Sequence, residues 1–288
     1  MEWFIYAFGS AIFTALLIII EKRGLLKEHA LEFSCVLSIF TFLLSLTFIR
    51  LVNFNLSLNI WIFIALGSLF FSISNLFIAK AIRHMEISLA GPIMAFLPAF
   101  VLIFSYIILK ERMNYLQLIG VLLLILGIYI LEARKNELFK SFIEIFKQKH
   151  ISYIILSLAF MALSFIIERY LLKDRLINVY SLTFISYIFF MIYMIILIFV
   201  LHDGFKGIVH GFKNAGLLIF FAATFMVVAK LLQNQANFMQ NVTLVEVIRR
   251  TYVLIVIFLG GELFHEKNLF KKIIATLVML IGAYLIIV

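Results

Sequence analysis

The chain carries one cysteine, Cys35, two prolines, Pro92 and Pro98, and only 14% charged residues among 288. A single cysteine excludes a disulfide framework and a thiolate metal cluster. So few prolines, with short polar stretches between long apolar ones, leave no room for a separate soluble domain. The shortage of charge excludes a water-soluble globule, which carries about 25% Asp, Glu, Lys and Arg. Catalytic signatures are missing too. No His-Glu-x-x-His, phosphate loop or Gly-x-Ser-x-Gly occurs, and the six histidines are scattered, mostly near expected loops. The sequence therefore assigns no catalytic residue, no metal and no cofactor, and the chain is not expected to be an enzyme. The net charge is +9, but the cations are dispersed through the loops without a basic stripe, so no nucleic-acid partner is expected.

What is present is hydrophobic: 65% of the residues, with a mean hydropathy of +1.16. Crossing the ~30 Å hydrocarbon core takes roughly 20 apolar residues per helix. Ten such runs occur, at about 3–21, 30–50, 58–80, 87–109, 115–132, 151–170, 178–201, 214–238, 243–263 and 269–288. The first lacks a basic leader and a small-residue cleavage site, so it reads as a retained helix. The expected fold class is an all-α membrane protein of ten transmembrane helices. Lys and Arg are more frequent after odd-numbered runs, which places those loops in the cytoplasm and both termini outside.

The chain also repeats itself. Residues 4–21 overlay 151–168 at Tyr6/Tyr153, Ser10/Ser157, Phe13/Phe160, Ala15/Ala162 and Glu21/Glu168. A longer gap-free block runs from Asn75–Leu131 onto Lys230–Ile286, pairing Ala81/Ala236, Glu111/Glu266, Gly127/Gly282 and Tyr129/Tyr284. Each copy holds five runs, an odd number, so the second enters the membrane from the opposite side. The expected domains are a first repeat at 1–137 and a second at 148–288, joined by an interfacial amphipathic linker at about 133–150. Inverted repeats of this kind place a solute site near the midplane, between the halves.

Polar side chains at membrane depth mark the candidate pathway, because a charge at a helix centre costs about 2.5–3.5 kcal/mol and seeks a cavity or a partner. Ser68, Ser72 and Asn75 stripe the third run, and Lys230, Asn234, Asn237 and Asn241 the eighth. Tyr153, Ser157, Ser164 and Glu168 share a face of the sixth run, and Tyr6, Ser10 and Thr14 lie on the first. The ninth run opens with Glu246, Arg249 and Arg250. Consecutive arginines diverge by about 100°, so Glu246 cannot satisfy both; either one points inward as a fixed cation suited to a carboxylate or phosphate, or both snorkel or clamp a neighbour. Glu21, Glu168 and Glu246 are the candidate proton carriers, the first two if buried, although their neighbours Lys22 and Arg169 favour interfacial ion pairs for those two. Glu111 and Glu266 read as boundary and capping residues. Gly207 and Gly211 fall in an expected loop, where Gly-x-x-x-Gly says nothing about helix packing.

The stretches Ala90–Pro98 through Leu109-Lys-Glu-Arg112 to Gly127, and Val247–Thr251 through His265-Glu-Lys267 to Gly282, resemble the drug/metabolite transporter superfamily of EamA type. The resemblance implies a ten-helix secondary transporter in a prokaryotic plasma membrane. It places Ser72, Asn75, Ser157, Lys230, Asn234 and Arg249 or Arg250 near a central cavity. The implied activity is alternating-access movement, with export the expected direction, of an amino acid or another carboxylate- or phosphate-bearing metabolite. The expected partners are that solute, the lipid bilayer and a coupling proton, with the protein a monomer or homodimer. A flippase for a lipid-linked substrate is the alternative, followed by a membrane enzyme or a structural partner subunit.

Overall fold

The computed structural model describes residues 2–94, 96–109, 114–132, 149–173, 176–239, 245, 248–266 and 268–287. Glu111, Glu246 and nearly all of the expected linker lie outside the described residues. The elements are α1 (Glu2–Leu25), α2 (Ala30–Ser45, extended by a 3-10 stretch Leu46–Leu51), α3 (Leu58–His84), α4 (Ile87–Met94), α5 (Leu97–Leu109) and α6 (Tyr115–Glu132). They continue with α7 (Lys149–Lys173), α8 (Val179–Leu201), α9 (Phe205–Met239), α10 (Tyr252–Ile255), a π-helical turn Val256–Gly260, α11 (Gly261–Leu263) and α12 (Leu269–Ile287).

Among the described residues, seven helices are long and apolar enough to cross a bilayer, and Tyr115–Gly127 and Tyr252–Leu263 are shorter apolar helices. The outer surface is hydrocarbon, with Leu58 74%, Leu217 73% and Ile5 70% exposed, while Ser34, Ser38 and Thr41 of α2 are fully buried. This inversion of the water-soluble pattern suits lipid as the solvent.

The helices pack antiparallel across the chain. Along α1 and α9, Gly9 meets Leu232, Ser10 Oγ donates to the Ala229 carbonyl at 2.8 Å, and Phe13 lies 5.8 Å from Phe225. Along α3 and α7 the pairs are Phe63 with Tyr170, Phe70 with Phe160, Phe77 with Tyr153, and His84 with His150. Helix α2 packs on α8 through Phe42 and Phe184, and α4 on the π turn through Gly91 and Val256. The glycines at the α6–α12 seam permit the closest approach. A Cβ on Gly282 would stand 2.7 Å from the Gly120 carbonyl oxygen and 3.0 Å from Leu123 Cβ. Gly282→Ala is therefore expected to cost about 1–3 kcal/mol through overpacking, read as a lower unfolding midpoint in detergent. An unchanged midpoint would mean that the seam is looser than this.

Two expectations change. The eighth run begins at Phe205 rather than near 214, so Gly207 and Gly211 are helical, and their bare faces admit Glu32 and Val36 of α2. The polar composition of 205–213 hid a helix end that projects beyond the hydrophobic span. The fourth run is two helices, because the chain turns at Phe96 between α4 and α5.

Candidate functional site

Two interruptions build the centre of the molecule. The first is the turn at Phe96; the second is the turn at Arg250 and Thr251 that ends a short helical stretch before α10. In the register that pairs Glu111 with Glu266, Phe96 falls on Thr251. Arg250, 5% exposed, donates from an Nη atom to the Met94 carbonyl at 3.4 Å, where the break in the fourth run leaves that acceptor without its helical partner. Interrupted helices at matching places in two halves present backbone and side-chain polar groups at membrane depth without exposing them to lipid.

Beside the breaks lies a cavity of about 180 Å³, lined from both parts of the chain. Its walls are mostly apolar, from Leu17, Phe71, Leu97, Leu158, Phe165 and Met226 among others. Its polar groups are Glu21, Asn75, Glu168, Lys230, Gln233, Arg249 and Arg250, with the hydroxyls of Thr14, Ser164, Tyr187 and Tyr252. Lys230 Nζ is 2.6 Å from Glu168 Oε2, so those two charges offset each other. Arg249 is held from behind: its Nε donates to Ser10 Oγ at 3.2 Å, and that hydroxyl donates onward to Ala229. Glu21 is 4% exposed and makes no ion pair among the described residues, and its Oε1 has no hydrogen-bond partner. The neighbouring Lys22 turns elsewhere and donates to the carbonyls of Ile82 and Met85, both at 2.6 Å, closing the end of α3.

The structure thus brings Asn75, Lys230, Arg249, Arg250, Glu21 and Glu168 to one cavity. Ser72, Ser157, Asn234 and Asn237 are not among the described residues that line it. Ser72 and Ser157 bond to carbonyls of their own helices, Ser68 at 2.7 Å and Ile154 at 2.7 Å. Asn234 donates to Thr183 Oγ1 at 2.9 Å and so ties α9 to α8. On α9 the cavity spans only the part around Lys230 and Gln233, and the next turn packs Asn234 against α8. The ion pairs expected for Glu21 with Lys22, and for Glu168 with Arg169, are replaced by the arrangement above. Successive residues point about 100° apart, which carries Lys22 away from the cavity that Glu21 faces. Gln233, Tyr187 and Tyr252 were not anticipated; Gln233, three residues after Lys230, was the readable signal.

The model of the EamA-like transporter family matches residues 1–132 and 148–288. The chain belongs to the EamA-like transporter family. As an EamA-like protein it is a multi-pass integral membrane protein of a group that transports small solutes across membranes. No curated relative matches it. A solved crystal structure of a protein shares 11% identity and aligns over 99% of this chain and 96% of its own, with a TM-score of 0.67. That likeness shows a common fold.

Proposed function

We propose that this EamA-like protein is a secondary transporter for one small carboxylate-bearing metabolite, with an amino acid carrying an apolar side chain the best fit. In this reading the two halves, 1–137 and 148–288, are inverted five-helix repeats spanning the membrane ten times, and they rock about the central cavity. The observation that carries it is the cavity itself, a mostly apolar chamber with Arg249, Arg250 and the Lys230–Glu168 pair among its polar groups. A guanidinium binds a carboxylate through charge-assisted hydrogen bonds, and the apolar walls suit an alkyl or aromatic group. Reciprocal packing of α1 on α9 and of α3 on α7 supports the inverted arrangement, since each pair joins the first helix of one half to the third of the other. A volume of about 180 Å³ lies below the ~300–1,000 Å³ of drug-sized sites, which favours a single metabolite over a lipid-linked cargo. Glu21 is assigned the coupling proton.

The test is counterflow of labelled amino acids into proteoliposomes holding the purified protein. Exchange of an apolar amino acid, without exchange of phosphate esters, is expected. Arg249→Ala should weaken solute binding about 10- to 100-fold, the worth of a charge-assisted hydrogen bond of about 1.5–3 kcal/mol. Absence of exchange with every carboxylate solute, or an Arg249→Ala protein that binds and exchanges like the parent, removes this reading.

A further inference from the structure

A second cluster of chemistry lies away from the cavity, where the corner between α1 and α2 meets the start of α9. Glu28, Glu32 and His210 come together there, with one ligand atom of each within 4.8 Å of the others. His210 Nδ1 is 3.1 Å from Glu28 Oε2 and 3.1 Å from Glu32 Oε2. The two carboxylates are buried, Glu28 at 1% and Glu32 at 6% exposure, while more than half of the His210 side chain is open to solvent. Among the described residues their ion-pair partners are histidines, with no lysine or arginine in range. The other oxygen of Glu28, Oε1, is buried with no hydrogen-bond partner. Two adjoining carboxylates withdrawn from water, one with an orphaned oxygen, form a site that a cation would complete.

The surroundings are arranged for this meeting. Gly207 and Gly211 flank His210 on α9; a Cβ at Gly211 would press on Val36 at 3.0 Å and on the Glu32 carbonyl oxygen at 3.3 Å, and one at Gly207 would touch Glu32 Cγ at 3.4 Å. The bare notch lets α9 settle onto α2 and delivers His210 to the carboxylates. On the far side of the ring, His210 Nε2 lies 2.8 Å from Asn214 Nδ2. With a metal on Nδ1 the ring proton moves to Nε2, and a turned Asn214 amide would accept it through its oxygen, the outer-shell contact that metal-bound histidines commonly have. His202 Nε2, 3.2 Å from Glu32 Oε1, holds the second oxygen of that carboxylate, and its ring packs at 4.6 Å against His29.

We propose that Glu28, Glu32 and His210 bind a divalent transition-metal ion, with Zn²⁺ the best fit, which clasps the α1–α2 corner to the α8–α9 hairpin. The two separations of 3.1 Å from His210 to the carboxylates match the edge of about 3.3 Å in a tetrahedron with ~2.0 Å metal–ligand bonds, and all three ligand atoms lie within 4.8 Å of one another. A mixed imidazole and carboxylate set selects Zn²⁺ or Co²⁺ over Mg²⁺ and Ca²⁺. Solvent at His210 leaves a fourth position for water. Glu28, Glu32 and His210 are ligands, His202 and Asn214 position them, and the site is independent of the solute cavity. Because the glutamates belong to the first half of the chain and the histidines to the second, the ion would brace the two halves at one membrane face.

The experiment uses the full chain, purified in detergent and stripped with chelator. Addition of Co²⁺ should produce visible d–d absorption, and Zn²⁺ should displace it and raise the unfolding midpoint. His210→Ala, at a position more than half exposed, should lose both responses. Asn214→Ala should weaken Zn²⁺ binding about 10- to 100-fold while keeping the cobalt spectrum. His150→Ala, in the separate histidine stack with His84, should bind as the parent does. A parent protein with no cobalt band and no Zn²⁺-dependent midpoint overturns the proposal, as does a His210→Ala protein that retains both. Stabilisation by Ca²⁺ or Mg²⁺ without a cobalt band overturns the assignment to a transition metal.

Discussion

Glu21→Gln is expected to abolish proton-driven accumulation of solute above its external concentration while leaving solute counterflow close to that of the parent. The reason is an asymmetry between two halves that otherwise correspond. Glu21 and Glu168 occupy equivalent places, as do Asn75 and Lys230. In one half Lys230 sits 2.6 Å from Glu168 and compensates it. In the other, asparagine replaces the lysine, and Glu21 faces the same cavity with an unpartnered buried oxygen. A carboxylate held out of water without a counter-cation is costly, and taking up a proton removes that charge. In the proposed transport cycle, opening the cavity to water would restore solvation and release the proton, linking proton occupancy to the direction of opening. Glutamine preserves shape and polarity but carries no exchangeable charge, so exchange survives and coupling does not.

The control is Glu168→Gln, which strands Lys230 beside an apolar wall and should damage solute binding and counterflow together. In reconstituted vesicles with an imposed pH gradient, the two variants then separate cleanly. Accumulation by Glu21→Gln equal to that of the parent would remove Glu21 from the coupling step. Asn75→Lys offers the reciprocal change: a cation placed where Lys230 stands in the other half should silence coupling in the same way as Glu21→Gln.

Much of this arrangement is legible in the sequence, and the rest depends on contacts between distant segments. Hydropathy alone locates the apolar runs, because the bilayer demands length and little else. The alignment of Asn75–Leu131 on Lys230–Ile286 needs only paired Glu, Gly and Tyr to register two copies. Asn75, Lys230, Arg249 and Glu21 are readable as candidates because a polar group at membrane depth is costly wherever it lies. Which of them share a cavity is not readable from spacing. Ser72 and Ser157 fit the same stripes but spend their hydroxyls on their own helices, a local alternative that any serine has. The helix break at Arg250 and Thr251 has no proline to announce it, unlike the one between Pro92 and Pro98. The histidine and glutamate cluster was invisible for another reason. Glu28 and His210 are far apart in the chain, and only the docking of α9 on α2 through Gly207 and Gly211 makes them neighbours.

Glu266 shows the same dependence, and it supports the largest expected loss of stability. Its Oε1 accepts the Ile87 N–H at 2.7 Å, and its Oε2 accepts the Ser88 N–H at 3.0 Å and the Ser88 hydroxyl. Lys272 Nζ lies 3.4 Å from Oε2 and also pairs with Glu86. A boundary role for Glu266 follows from its sequence position, but the helix it caps is α4, on the other side of the chain's midpoint. The first N–H groups of any helix lack partners, and a carboxylate at that end is favoured by hydrogen bonding and by the helix dipole. Here the need is acute, because α4 has eight residues, contains Pro92 and ends in a break, so it cannot hold itself together. Glu266→Ala would leave two buried N–H groups unpaired and strip one partner from Lys272. The expected cost is about 3–5 kcal/mol, the usual penalty for removing one member of a buried ion pair. Glu266→Gln keeps one accepting oxygen and should lose less, and Glu86→Ala, whose side chain is half exposed, should lose least. Unfolding midpoints in detergent would rank the three. Equal midpoints for Glu266→Ala and the parent would show that α4 is held by packing alone. Since α4 leads into the break at Met94, which receives Arg250, the same substitution should also loosen solute binding at the cavity, even though Glu266 never reaches it.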